Sequence, residues 1–482
     1  MIDATPEATP APTDAPARPV RAPRRSPTEL TFTLDEAFVA ARAAGEPDWL
    51  AADRRAAFAR YRALPIETNQ LYTTYVDLRT ADLAAVAPFA TPADAPDTTS
   101  LALPDGAAGF AAFRDDRVDA LGLDDEARAA GVVLETLGGL VRRDPVLSRR
   151  LLADETSLPL DDKLAQLTRA AWNQGVVVHV PAGIRLARPI VLRWQAGEPG
   201  QALLTRTILD VGEGASASVV EELEASPRAL DRTGAQALFS GSLEVHLAIG
   251  STLEVASIQN FATGTVAFQH RQAEIGEGAT LRWALAQLGG RLVRSRVDNR
   301  LSGDRSSVEQ VEIVFGADDQ LFDLTNYTRH IGRDATGNLL SKAALLDATR
   351  SYMKGLIIIE PTAVGTDSFL GEFGMNLSKQ ARAVAIPSLE IDQPDCRRAA
   401  HSSAVGPIDE TQLFYLESRG IDPEEARKFI VLGFLEPVVA RVPLVSAQDT
   451  LRELLEAKWD AGAASETGRA AAAGRVAASP AA

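Results

Sequence analysis

The sequence predicts a mainly β protein whose body is a pile of short strands, with helical segments before and after it. Three observations lead there. From about Val176 the apolar pattern has strand character: LEVHLAI (243–249), LEVASIQ (253–259) and LRWALAQL (281–288) alternate or run apolar over strand length, with few helical periods between them. A glycine turn recurs ahead of such strands, in DVGEGASASVV at Gly212, AIGSTLEVAS at Gly250 and EIGEGATLRWA at Gly276. Glycine there permits left-handed or bulged backbone, and the small residues beside it suit close stacking. Many short strands joined by repeated corners fit a β-helix of stacked coils better than a single sandwich. The repeat is irregular, and a double-sheet jelly roll competes.

Along the chain, residues 1–28 are Pro- and Ala-rich with too few large apolar groups to offset the entropy of ordering, and read as a disordered tail. Residues 29–160 read as a helix-rich N-terminal domain. Thr33 followed by Glu36 resembles a capping box before Phe38 and Val39, and Pro47 starts a second helix carrying Trp49, Leu50, Phe58 and Tyr61. The β-helix core is expected over 161–400. In the C-terminal helical segment, 401–460, Asp409 is an N-cap with Gln412 three residues on, and Gly420 is a C′ stop. Asp422 caps again, with Pro423 at N1 and Glu425 completing the box. That punctuation predicts a short helical hairpin. The Ala-rich stretch 461–482 reads as a second disordered tail.

At 482 residues the chain exceeds one ordinary hydrophobic core, and 46% hydrophobic content permits a large one. A net charge of −16 opposes docking to nucleic acid or an anionic membrane, because phosphates would meet repulsion. The single cysteine excludes a disulfide framework and the four thiolates that commonly hold an iron–sulfur cluster. The N-terminus, with Arg21, Arg24 and Arg25, lacks the apolar stretch of a secretory signal, and no run approaches a membrane span, so a cytoplasmic location is expected.

Chemistry concentrates at one place. His401 follows the strand-like PSLEIDQPDC that ends at Cys396, and a neutral imidazole is a common metal ligand, although a lone histidine is more often structural. Thiolate is a soft ligand for iron, but Cys396 precedes His401 by an odd number of residues, which in a strand puts the two side chains on opposite faces. A buried or interface thiol is the plainer reading, with Arg397 and Arg398 able to lower its pKa. His179, His246 and His270 sit in or beside strands without a Cys or His partner at ligand spacing. His330 closes the polar stretch Asp323, Thr325, Asn326 and Arg329, which a ladder satisfying buried backbone explains as well. No GxxxxGK[ST], HExxH, GxSxG or CxxC occurs, so no ATP site and no enzyme signature is present, and acidic pairs such as Asp318 and Asp319 read as solvated turns. The two C-terminal helices place Leu413, Phe414, Leu416, Ala426, Phe429, Ile430 and Phe434 at helical spacing, for a core or for a partner.

Several separated segments, in order, resemble the SufB/SufD family of iron–sulfur cluster assembly scaffolds. They are AAWNQGVVVHVPAGIRLARPIVL (170–192), TRHIGRDATGNLLSKAALLDATRSYMKGLIIIEP (328–361), NLSKQARAVAIPSLEI (376–391), and the run from His401 through LFYLESRGI to GFLEPVV. ALPIETNQLYTTYVDLR (63–79) matches more weakly. The resemblance implies a right-handed parallel β-helix flanked by helical domains, and a non-catalytic, SufD-like scaffold. Such a subunit pairs with a SufB-like paralogue; apart from the resemblance, an uncovered strand edge would encourage a homodimer when the paralogue is missing. It implies that His401 is an iron or cluster ligand at the partner interface, with Cys396 a weaker candidate. Family members commonly carry a cysteine two or three residues before the histidine, where this chain has Ala399 and Arg398. The resemblance also implies a cluster shared transiently with the partner, and an ABC-type, SufC-like ATPase docked at Phe414, Tyr415, Arg419, Gly420, Phe429, Gly433 and Phe434. It assigns neither a flavin, nor a cluster type, nor a stoichiometry. Within the family the rival role is the SufB-like, cluster-carrying one, which a single thiol argues against. From other classes, a β-helix polysaccharide lyase or hydrolase would need clustered carboxylates with Ca²⁺ or a basic residue in a groove, and a purely structural interaction protein would tolerate loss of His401.

Overall fold

Each short corner in the body turns the chain from one sheet to the other, so a strand pairs with the next strand but one. One sheet takes the strands Gln174–Val180, Gln201–Val211, Ala237–Leu247, Thr265–Ile275, Leu292–Leu301, Leu321–His330, Arg350–Ile359 and Arg382–Ile391. The facing sheet takes Ile190–Ala196, Ser216–Ala225, Thr252–Asn260, Thr280–Gln287, Ser307–Gly316, Thr336–Leu345, Asp367–Asn376 and Arg398–Gly406. All of these neighbours are parallel and in register: Thr252, Thr280, Ser307, Thr336, Asp367 and Arg398 stack from coil to coil. The computed structural model, which describes residues 25–89, 102–154, 157–229 and 234–477, with side chains as far as 462, is therefore a β-solenoid of about eight coils, not a jelly roll.

The repeated turn has a specific physical basis. Gly183, Gly214, Gly250, Gly278, Arg305, Asp334 and Gly365 all have positive φ. Each donates its N–H to a carbonyl in the adjacent coil: Gly183 to Glu213, Gly214 to Ile249, Gly250 to Glu277, Gly278 to Asp304, Arg305 to Arg333, Asp334 to Val364 and Gly365 to Asp395. The expected left-handed positions at Gly212 and Gly276 move two residues on, to Gly214 and Gly278. The first glycine of each pair serves close approach instead: a Cβ on Gly212 would lie 2.5 Å from the amide nitrogen of Ala182, and one on Gly276 2.6 Å from the carbonyl oxygen of Leu247.

Alternation along each strand sends one row into the lumen and the other outward. The inner rows form the largest apolar cluster, including Val219, Val255, Trp283, Val308, Phe322 and Met353. The outer row of the second sheet (Ala256, Ile258, Ala284, Val311, Ile313, Phe315) is buried by the helix Pro423–Val439, through Val431, Leu435, Val438 and Val439, and by Leu451, Leu455 and Trp459 of the helix Val445–Ala477. The stretch expected to be a disordered tail from 461 is thus helical as far as Ala477. Residues 478–482, and 1–24 of the other expected tail, lie outside the described residues.

The two ends differ. At the N-terminal end, Val133–Thr136 pairs antiparallel with Gln174–Val180, and the hairpin Gly109–Arg114/Arg117–Leu123 continues the second sheet beside Ile190–Ala196. The helices Glu36–Ala43, Asp48–Ala63 and Lys163–Ala171 pack nearby; the first is capped by Asp35, accepting from the Ala37 N–H at 2.9 Å, rather than by the expected Thr33. Buried ion pairs clamp the N-terminal segment to the solenoid, with Arg294 at 2.7 Å from Glu67 and 2.6 Å from Asp323. At the C-terminal end, Arg382–Ile391 and Arg398–Gly406 are the last strands of their sheets and have no further neighbour among the described residues. The strand carrying His401 runs on to Gly406, beyond the expected boundary at 400. No helix among the described residues is long and apolar enough to cross a membrane.

Candidate site at the open end of the solenoid

His401 lies in the last strand, in register with Leu370 of the strand before it, and Leu370 with Leu339 of the strand before that. Those leucines belong to the buried inner row, so His401 occupies the position at which the lumen meets its open end, and its side chain is exposed. Every residue of this strand from His401 to Val405 is exposed, as an edge with no covering strand requires. From Ala399 to Gly406 it contains neither lysine nor proline, the residues that ordinarily blunt an edge.

Cys396 is not on a strand. Arg382–Ile391 ends before it and Arg398–Gly406 begins after it, so the opposite-faces expectation, which presupposed a continuous strand, does not apply. The half-buried thiol packs against the apolar cluster Leu339, Ile357, Ile359, Ala363 and Leu370, beside Leu389 and Ala399. Leu370 is also the residue stacked beneath His401, so both candidate ligands border the same corner of the lumen. Arg397 is engaged by Asp334, and Arg398 lies 2.6 Å from Asp367. Among the described residues no three His, Cys, Asp or Glu side chains come together as a metal site. The two candidate donors at this end, one imidazole and one thiol, fall short of the four that hold a cluster.

Behind the rim the lumen is polar in a way the linear pattern hides. Ser257 donates to Glu221 at 2.6 Å, Arg271 joins the same carboxylate at 3.1 Å, and Gln269 donates to Gln287 at 3.3 Å. Farther on, Gln310 donates to Asn326 at 2.7 Å and Asn326 to Glu312 at 3.1 Å. Glu372, one coil below the rim and in register with Ser341 and Ser403, accepts from the Ile386 N–H at 2.8 Å. Its Oε1 and that of Glu312 are buried without a hydrogen-bond partner. Burial pushes the Glu372 carboxyl up to about 8, and the nearby Glu312 adds to that rise. Glu372 escaped sequence reasoning because a glutamate among small and aromatic residues (LGEFG) looks like a solvated strand position; only the coil register assigns it to the inner row.

Three other histidines lie within the fold, away from the open end. His270 is buried, its imidazole held down to about 4 by desolvation, opposed by Asp162. His330, likewise held near 4 by burial, lies 3.0 Å from the Ser368 hydroxyl inside the lumen. His179 shares Asp210 with Arg150, its Nδ1 2.5 Å from the carboxylate. The polar stretch at 323–330 splits by alternation: Asn326 and His330 join lumenal bonds, while Asp323 serves the outer ion pairs.

The hairpin after the last strand follows its sequence signals. Asp409 accepts from the Thr411 N–H at 2.8 Å and caps Glu410–Ser418; Gly420 has φ +86°; Asp422 accepts from Glu424 at 3.0 Å and caps Pro423–Val439. The first helix buries no residue, and Phe414 and Tyr415 are 70% and 57% exposed. Phe429, on the second helix, is 54% exposed, and Gly433 has open space around it. Arg419 stacks on Tyr415 at 5.2 Å. Phe434 differs from these: it is half-buried, with Lys342 over its ring at 4.6 Å and bonded to its carbonyl at 2.9 Å. The hairpin thus turns one apolar face to the solenoid and leaves a second, aromatic one uncovered.

Comparison with known proteins bears on this arrangement. The family described as "SUF system FeS cluster assembly, SufBD core domain" matches residues 193–434. The iron-sulfur cluster assembly protein SufD of Bacillus subtilis is 26% identical over 346 residues, 72% of this chain and 78% of the relative. An iron-sulfur cluster assembly SufBD family protein of Mycobacterium tuberculosis is 29% identical over 353 residues, 69% of this chain and 83% of its own. One of Mycobacterium leprae is 28% identical over 303 residues, 61% of this chain and 74% of its own.

Proposed function

This chain belongs to the SufBD family of iron–sulfur cluster assembly proteins, and from that premise we propose that it is the SufD-like scaffold subunit of a SufBCD-type complex. In this reading it does not perform the chemistry alone. A SufB-like paralogue docks on the open end of the solenoid and supplies the thiolates this chain lacks, while His401 contributes an imidazole to iron at the seam, with Cys396 a lesser donor. Iron and sulfide are cargo, held there only until transfer.

One observation carries the reading: an exposed histidine stands on an unblunted sheet edge, in a protein with a single half-buried thiol. A second strand laid along Arg398–Gly406 would satisfy its free backbone groups, about 4.8 Å away. That distance brings ligands from both chains together around His401. The exposed aromatic face of the hairpin (Phe414, Tyr415, Phe429, with Arg419, Gly420 and Gly433 around them, and Phe434 beneath) is the proposed seat of the SufC-like ATPase. Closure of two ATPase subunits would pull on the hairpin, whose second helix rests on the outer face of the second sheet, and so shift the seam.

The test is disulfide trapping. His401→Cys, co-expressed with the paralogue and the ATPase, is expected to crosslink to a partner thiol, with a yield that changes when ATP is added. Labelling of the introduced thiol that is the same with and without the partner and nucleotide would defeat the proposal.

A further inference from the structure

The second helix of the hairpin, Pro423–Val439, lies on the solenoid along an apolar contact. Its Val431, Leu435, Val438 and Val439 meet an outer row that includes the small residues Ala256, Ala284 and Ala344. Apolar contact is non-directional, and small residues raise only shallow ridges, so this contact alone fixes the helix weakly against sliding. Lys342 supplies the missing direction. It stands in the same outer row, on the strand Thr336–Leu345, in register with Ile313 on one side and Phe373 on the other. Its Nζ donates to the Phe434 carbonyl at 2.9 Å and lies 4.6 Å from the centre of the Phe434 ring. One residue thus grips the helix twice, by a charge-assisted bond to its backbone and by a cation over its aromatic side chain.

The helix is altered where it is gripped. Pro437 has no N–H to return to the Gly433 carbonyl, so one backbone bond is missing there, and the next carbonyl along is the one that takes the Lys342 ammonium. On the solenoid side the grip leads to the rim. Lys342 pairs with Phe373, and Phe373 with Ala404 on the strand that carries His401. Those three strands are bonded in register and form one rigid ladder. Resting on the reading above, in which an ATPase seats on the hairpin and iron on His401, we propose that Lys342 is the positioning residue that hooks the hairpin to this ladder. A pull on the exposed Phe414 and Phe429 then loads the coils that end at His401, where without the hook it would be spent in sliding along the apolar contact.

Lys342→Met keeps a long apolar stem and a contact with the Phe434 ring but donates no hydrogen bond, whereas Lys342→Arg keeps both donor and charge. Each is placed in the His401→Cys chain and co-expressed with the paralogue and the ATPase. Disulfide yield is read with and without ATP, with ATPase co-purification and melting temperature measured in parallel. In Lys342→Met the ATPase is expected to stay bound while the ratio of the two yields falls to unity, and Lys342→Arg is expected to recover most of the ATP response. A response that persists in Lys342→Met overturns the assignment and leaves the scaffold function standing. Loss of the ATPase from Lys342→Met, or an ATP response that Lys342→Arg does not recover, also overturns it, because either marks a merely structural contact. If the His401→Cys chain with Lys342 intact shows no ATP response, the proposed function itself fails, and the assignment falls with it.

Discussion

His401 can be removed without cost to the fold, because it is exposed and no neighbouring strand rests on it. His401→Ala is expected to shift unfolding free energy by no more than about 0.5 kcal/mol in urea titration, while iron and acid-labile sulfide recovered with the co-purified complex fall sharply. Glu372 behaves in the opposite manner. Its folded carboxyl titrates at about 8 and an unfolded one near 4.3, so between these values the native state holds a proton that the unfolded chain has lost. Stability from this group is full below the unfolded value and falls as pH rises towards 8, by at most roughly 5 kcal/mol. Glu372→Gln is expected to flatten that decline when urea midpoints are compared at pH 5, 6.5 and 8; an unchanged slope would place the titration elsewhere. These two residues also mark what was legible beforehand. An imidazole beside a thiol can be read from a string of letters, whereas the break of the strand at Ile391, which takes Cys396 off it, and the inward aim of Glu372 depend on how coils stack.

The corners and caps were legible to different degrees, for local reasons. Asp409, Gly420 and Asp422 act through bonds to their own near neighbours, so their pattern suffices. Thr33 lost to Asp35 because the helix begins one residue after the aspartate, a register that sequence fixes poorly. The Ala-rich stretch after Ala461 was misjudged by complexity alone; alanine has the highest helix propensity, and the stretch extends an anchored helix. In the glycine pairs, the left-handed position falls on the second glycine and not on the first, which is the crowded one. A Cβ on Gly303 would lie 2.0 Å from the Glu277 amide nitrogen, so Gly303→Ala must displace a whole turn. We expect a loss of at least about 2 kcal/mol in thermal or chemical unfolding. Gly278→Ala meets no atom within 4 Å and carries only the strain of φ +63°, so it is expected to lose about 1 kcal/mol. On the hairpin, the double change Phe414→Ser and Phe429→Ser is expected to leave the melting temperature in place and abolish co-purification of the ATPase, because neither ring contributes to the buried helix face.

The solenoid as a whole has two unlike ends, antiparallel strands at one and the last parallel coil at the other. Its class could be read from the period-two runs and repeated glycines; its number of coils, and the fact that strands from 109–136 close the N-terminal side, could not, since those strands pair far along the chain. The isolated chain is expected to self-associate through Arg398–Gly406 as its concentration rises, and light scattering should show Ser402→Lys with Ala404→Lys restoring the monomer, since edge lysines oppose strand addition. Persistence of the dimer in that variant would move the contact elsewhere. Repeating coils with two bare ends would invite unlimited growth into fibres. Here the hairpin and the antiparallel strand break the parallel repeat at the N-terminal side, so the two ends are unlike, and pairing through the bare C-terminal edge joins two molecules tail to tail and uses that edge up.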